Sequence, residues 1–507
     1  MSDDPLFTLY KRARNRLRRY EPQSMLTHAV DALHKVHSSG TDVMRQYQPW
    51  NILLAMKWML QEADTVSHRR PTATLSDFHA VLRTLNEIDG NVRMPSTYEH
   101  VTLFMRHLAF QQFWLQRGAS AEALGRQDLL FSSLPDNHLF VQEFYKLTGL
   151  RPTQFMELAF STLTQLLETP APKAISRLDF KDIEQGLPPG TLNKFLQSLS
   201  KSVPELHSWL GGTEFEGMSV ADQKILPTPL VDTPLIRMAG GSYTIVSPIL
   251  LMRSLESFVY RTLRRSNPEE FGKKFGPMFE TYVGRCLTDA GLHYIDEKEL
   301  EAKLPGLGKC VDFLLIEDDC QVLLDAKGIE MSPRGRVSQR ADLVLETIKS
   351  SAVKAIEQAM ATAARIRKLP ATHALARGRE EVFLLVVTFD DLFLGSSFDF
   401  GAIFGEHVLP RLERDYGMPL PIPIEHIFFL SIDDLEWLLA CVHAKDASVG
   451  DILRHARNED RSHRTRKFMF QQHLATLCPQ EKRLPMLQKA LDGLCQRCIQ
   501  LLPSDLR

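Results

Sequence analysis

Two apolar runs joined by three acids, CVDFLLIEDDCQVLLDAKG at residues 310–328, constrain this chain more than any other feature. CVDFLLI and QVLLDAKG have the aliphatic, β-branched content of buried strands, yet Asp312 interrupts the first, and Asp325 and Lys327 end the second. Asp318 and Asp319 suit the centre of a two-residue hairpin loop, because Asp tolerates turn conformations. That loop sets a register in which Asp312 faces Asp325, and alternation puts Lys327 on the same face as Asp325 and Leu323. Facing carboxylates repel, and burial strengthens the repulsion, so the pair implies a cation between them. Carboxylate oxygens on a rigid scaffold are the donors Mg²⁺ prefers. Such an ion polarises a phosphoryl oxygen and activates water, while Lys327 orients or deprotonates that water, so the chemistry implied is phosphodiester hydrolysis.

The flanking elements read as a mixed-sheet α/β domain over residues 268–445. Asn267 and Pro268 open a helical stretch in which Gly276 and Pro277 are expected to break a short first turn from a longer helix running to Asp289. On that helix Glu280 borders the apolar stripe of Val283, Gly284 and Leu287. LHYIDEKEL reads as a strand, PGLG as a loop and SPRGRVSQR as a charged loop. A long helix through SSAVKAIEQAMATAARIRKL places Lys354 and Gln358 on one face. EVFLLVVTF is a strand buried on both faces, made parallel to its partner by the long helical crossover. HIFFLSIDDLEWLLACV adds a strand and a helix capped by Ser431.

Residues 1–260 read as an α-helical domain, with apolar residues at helical spacing in QPWNILLAMKWMLQEAD, LSDFHAVLRTLNEI, STYEHVTLFMRHLAFQQFWLQRG and PTQFMELAFSTLTQLLET. A small hairpin turning on Gly240 and Gly241 follows, then a helix opened by Ser247 and Pro248. Residues 446–507 read as a short helical tail. The formal net charge of −2 over 507 residues leaves any nucleic-acid contact to local basic patches. One such patch, the six cations from Lys11 to Arg19, has no apolar stretch behind it, so no secretory signal is expected, and it reads as a solvated helix face or docking arm. No apolar run is long enough for a bilayer. Seven Cys spread along the chain fit reduced thiols in a cytoplasmic protein. Cys495 and Cys498 have metal-ligand spacing, with His473 and Cys478 upstream, but they fall on the apolar side of a continuous amphipathic helix, and no zinc site is predicted. Phosphate-binding-loop, nucleophile-elbow, zincin and dinucleotide signatures are missing.

With Glu280 on a helix, Asp312 on the second strand, Asp325-Ala326-Lys327 on the third and Gln358 on the next helix, residues 268–445 resemble the PD-(D/E)XK nuclease superfamily, the restriction-endonuclease-like fold with its αβββαβ core. The resemblance implies that Asp312, Asp325 and the carbonyl of Ala326 hold the metal, and that Glu280 contacts it directly or through water. It makes Lys327 the family's lysine and Gln358 a support from the later helix. The sequence departs from the pattern at the Pro of "PD", which is Val311 here. The function implied is that of a Mg²⁺-dependent nuclease, with Mn²⁺ able to substitute, acting on DNA with RNA left open. Arg334, Arg336 and Arg340, just after the third strand, are the expected contacts to the substrate backbone. A large helical domain fused to such a nuclease resembles the layout of bacterial defence effectors against foreign DNA. The helical half is then a sensor, a substrate-recognition domain, or a seat for a protein partner or a second copy of the chain. Two other readings stay open: a catalytically silent module of the same fold that binds nucleic acid or scaffolds a complex, and a helical interaction protein with an unrelated α/β domain.

Overall fold

A computed structural model describes residues 5–39, 47–62, 70–90, 98–116, 118–167, 171–212, 219–304, 306, 308, 310–478 and 482–506. Of the PGLG loop, Pro305 and Leu307 lie outside the described residues. The chain forms two compact units, one of Met1–Met94, Leu108–Ser266 and Ala490–Arg507, the other of Pro95–His107 and Asn267–Lys489. The segment read as a C-terminal tail is therefore divided: its residues through Lys489 belong to the second unit and the rest to the first.

The first unit is mainly helical. Apolar periodicity becomes helices at Pro49–Gln61, Leu75–Gly90 and Pro152–Leu166, and Ile52, Trp58, Phe78 and Val81 are buried in its core. The expected hairpin pairs Leu235–Arg237 with Tyr243–Ile245, Gly240 and Gly241 taking the positive φ its turn requires. It sits within a four-stranded sheet of very short strands. The basic N-terminal run forms the helix Pro5–Leu17, whose cations are used inside the unit: Arg12 pairs with Glu87, Arg14 and Arg18 with Glu62, and Arg16 donates to the carbonyl of Ala80 at 2.6 Å. Cys495 and Cys498 lie on one helix, Pro485–Leu501, and the Cys498 thiol donates to the carbonyl of Glu157 at 3.3 Å.

The second unit is built on five strands. Helix α1 (Pro268–Asp289) leads to β1 (Tyr294–Asp296), helix α2 (Glu297–Lys303), β2 (Phe313–Ile316) and β3 (Gln321–Lys327). Helices α3 (Ala341–Ile348) and α4 (Lys354–Arg367), joined by a π-helical turn at Lys349–Val353, cross to β4 (Val382–Thr388). Helix α5 (Ser397–Tyr416) crosses to β5 (Ile427–Ser431), and α6 (Ile432–His443), α7 (Val449–Asp460) and α8 (Gln471–Leu477) follow. The sheet order is β1-β2-β3-β4-β5, antiparallel from β1 to β3 and parallel from β3 to β5. Helices α4 and α5 make the two crossovers on one face, and α1 and α6 pack together on the other. Every residue of β4 is buried, as a strand covered on both faces must be.

Three local expectations are corrected. Helix α1 runs unbroken through Gly276 and Pro277, because Phe271, Phe275 and Phe279 anchor both sides of the proline and only one backbone donor is lost there. LHYIDEKEL is a strand only to Asp296, whose carboxylate accepts the Glu299 N–H at 2.9 Å and starts α2. The charged loop holds a short helix, Pro333–Val337, and the long helix begins at Ala341, ahead of the stretch that suggested it.

The hairpin has the register its two-residue turn predicts. Phe313 pairs with Leu324 and Ile316 with Gln321, and the Glu317 N–H closes the turn on the Cys320 carbonyl at 3.0 Å. The turn is clamped from outside: Glu317 accepts the N–H groups of Val449 and Gly450 at the start of α7, and Arg454 pairs with Asp319 at 2.7 Å. Gln321 at the start of β3 donates to the carbonyls of Leu375 and Arg377, holding the loop that ends at Gly378. Gly378 has φ +70°, and a Cβ there would lie 2.5 Å from the Cys320 carbonyl oxygen, whereas Gly291, at φ +81°, faces open space. Gly378→Ala is therefore expected to destabilise the unit by about 2–4 kcal/mol, strain adding to overlap, against about 1–2 kcal/mol for Gly291→Ala. Urea unfolding of both variants checks this, and equal costs would refute the close approach.

Candidate functional site

The central strand β3 carries the deepest charge. Asp325 is wholly buried, and neither of its oxygens has a hydrogen bond of normal geometry; Lys327, two residues along the same strand, pairs with its Oδ1. Asp312 is 8% exposed and lies one residue before the β2 ladder begins. There its side chain takes over from the backbone, Oδ2 accepting the Ala326 N–H at 2.6 Å. The ladder register, continued by one pair, sets Asp312 against Asp325. Burial pushes the Asp312 carboxyl up to about 7, and the Asp325 charge adds to the rise, with Lys327 and the Ala326 N–H opposing it. Burial likewise raises Asp325, against Lys327 and the more distant Lys354.

Two further acids meet Asp312. Glu280, half-buried on α1, and Glu297, the first residue of α2, bring carboxylate oxygens within 4.8 Å of one another and of Asp312. Burial raises the Glu280 carboxyl, and Glu297 is its strongest repulsive neighbour. Glu297 escaped the sequence reading. Its signal was the DEKE stretch: once Asp296 is taken as a helix cap, β1 must end there, and its pairing with Phe313 puts Glu297 one step beyond, alongside Asp312. Asp312 is thus flanked by Glu297 on one side and Asp325 on the other. A groove of about 680 Å³ opens beside this cluster, lined by Glu280, Glu297, Thr281, Arg285, Tyr294 and Lys298 among others.

Of the supporting residues, Gln358 on α4 donates from Nε2 to the Cys310 carbonyl at 3.0 Å, fixing the chain just before Asp312. Lys354 is exposed one turn earlier. Arg334 and Arg340 are exposed and paired with Glu346 and Asp342, weak surface pairs that leave both able to meet a phosphate. Arg336 is different. It is paired with Glu330 at 3.1 Å and donates to the Met331 carbonyl at 2.9 Å, with its side chain only 14% exposed, and so ties the loop after β3. His473 is held between Glu459 and Asp460 at 2.8 and 3.1 Å.

The donor set suits a hard divalent cation: the carboxylates of Glu280, Glu297 and Asp312 converge, and Asp325 lies buried opposite Asp312 with the Lys327 ammonium beside it. Compared with known proteins, the chain matches no family model, no curated protein and no solved structure.

The shifted carboxyl gives a pH signature. Asp312 binds its proton more tightly in the folded state than in the unfolded one, so the stability it contributes is full below its unfolded value and is lost as pH rises from about 4 to about 7. Without divalent metal, the protein is expected to lose stability across that window, and Asp312→Asn to flatten the loss and gain about 1–2 kcal/mol at pH 8. Thermal unfolding against pH in EDTA measures both, and an unchanged slope in the variant would refute the buried repulsion.

Proposed function

We propose that the second unit is a divalent-metal-dependent nuclease of the PD-(D/E)XK type, with DNA as the first substrate to test. The observation that carries this reading is Asp325, a carboxylate buried in the central strand opposite a second buried acid. That pairing costs folding energy and gives the core nothing, the mark of residues kept for chemistry. The sheet order, antiparallel then parallel behind α1, supports the same reading, as does Gln358 bonded next to Asp312.

On this reading Asp312, Asp325 and Glu280 hold the ion, the Ala326 carbonyl completing the set as the family resemblance implies. A bound divalent cation supplies Lewis acidity at a phosphoryl oxygen. Lys327, held against Asp325, presents its ammonium where negative charge develops on the phosphate and donates to the attacking water. Glu280 stands at the rim of the groove, between the buried acids and solvent. Gln358 keeps Asp312 in place through the Cys310 carbonyl, a positioning role. Among the described residues no helix is long and apolar enough to cross a membrane.

Cleavage of supercoiled plasmid, linear duplex, single-stranded DNA and single-stranded RNA with Mg²⁺, Mn²⁺ or EDTA is the test. Asp325→Ala and Lys327→Ala are each expected to lower the metal-dependent rate by about 10²–10³-fold or more, and Gln358→Ala by about tenfold. Cleavage indifferent to both would move the chemistry elsewhere. No cleavage, together with no metal uptake that depends on Asp325, would leave a silent module of this fold.

A further inference from the structure

Away from the acidic centre, and independent of the reading given to it, two cysteines and an aspartate from distant parts of the second unit converge. Cys441 lies in the last turn of α6, and Cys478 caps the end of α8. The two sulfurs and a carboxylate oxygen of Asp446 all lie within 4.8 Å of one another. Both thiols are free and buried, at 0% and 4% exposure, while Asp446 is exposed.

The backbone accounts for Asp446. Helix α6 ends with Lys445 in the left-handed region, φ +60°, and the Asp446 N–H returns to the Cys441 carbonyl at 3.1 Å while the Lys445 N–H bonds that of Val442 at 2.9 Å. These paired bonds form a Schellman closure, which folds the residue after the left-handed position back over the last turn and so over Cys441. The third donor comes from α8, whose end lies beside α6.

A cation already occupies the polar side of this trio. Lys482 stands 2.6 Å from Asp446, and its charge is felt by both sulfurs. The Cys441 thiol is hydrogen-bonded to Cys478, and burial and its neighbours hold it in the protonated form. Two sulfurs and one carboxylate are a borderline-soft donor set, unlike the all-oxygen cluster around Asp312, and they leave a fourth tetrahedral position open. We propose that Cys441, Asp446 and Cys478 bind one Zn²⁺ ion, which displaces the thiol protons and the exposed Lys482 ammonium and ties α8 to α6. Both sulfurs bind as thiolates, their protons passing to solvent, with no change of oxidation state.

The test uses the untagged full chain, reduced and stripped with chelator, titrated with Co²⁺ as a spectroscopic stand-in for Zn²⁺. A thiolate-to-cobalt band in the near ultraviolet should grow to about one equivalent and disappear on adding Zn²⁺. Co²⁺ taken up by the oxygen cluster gives no such band. Cys441→Ser and Cys478→Ser should abolish it, Cys495→Ser should leave it, and Asp446→Ala, at an exposed position that keeps the fold, should weaken binding about tenfold or more. No band in the wild type, a band that survives both Ser variants or is unmoved in Asp446→Ala, or a loss of two titratable thiols to a disulfide in place of metal uptake would each overturn the proposal.

Discussion

Everything in the second unit is arranged around a carboxylate in the wrong place. Asp325 lies in the middle strand of five, with apolar neighbours on both ladders, and its repulsion of Asp312 is eased by Lys327, by Lys354 and by one backbone N–H to Asp312. A buried acid with so little compensation survives because the surrounding sheet over-determines its position. Val322, Leu323 and Leu324 before it, and Phe383–Val387 on the neighbouring strand, are all at or near zero exposure. The turn at Asp318–Asp319 matters for the same reason. A slip of one residue would turn Asp325 to the other face, and the bonds that tie Glu317 and Asp319 to α7 guard against that slip.

The parts of this arrangement that were legible in the sequence are those set by local rules. A two-residue acidic turn fixes one register, and that register brings Asp312 to Asp325; a long helix between strands fixes a parallel crossover. What escaped depended on contacts between distant segments. Helix α1 tolerates Pro277 because phenylalanines on either side are packed against the sheet, which no helix propensity reports. Glu297 looked like the end of a strand until the cap at Asp296 and the pairing of β1 with β2 put it beside Asp312. Arg336 reads as a backbone contact because cations cluster after β3, but spacing does not reveal which of them turns inward to an acid and a carbonyl. Cys441 and Cys478 are far apart in sequence, and only the closure of α6 and the packing of α8 bring them together.

The basic runs teach a related lesson about charge. A chain with formal net charge −2 has no surplus of cations, and the structure assigns many of the clustered ones to internal work: Arg14 and Arg18 to Glu62, Arg454 and Arg457 to Glu381 and the hairpin turn. The groove beside the acidic cluster mixes Arg285 and Lys298 with Glu280, Asp289, Asp296 and Glu297, and so does not by itself attract a polyanion. Under the proposed function, substrate capture cannot rest on bulk electrostatics.

That leaves the charge at the centre to be balanced locally, by protons or by a cation competing for the same oxygens. With Asp312 raised to about 7, protons do part of this near neutrality and are lost above it, which is where a cation is held most tightly. Under the proposed function, a phosphate approaching Glu280, Glu297, Asp312 and Asp325 would be repelled when they are ionised and unbalanced, and accepted when a cation balances them. On that reading each would favour the binding of the other by the same factor, and reciprocity would require that a non-cleavable phosphodiester tighten the metal as much as the metal tightens it. Under the proposed function, the buried repulsion would thus couple metal to substrate, and removing it by substitution would gain stability at the expense of that coupling.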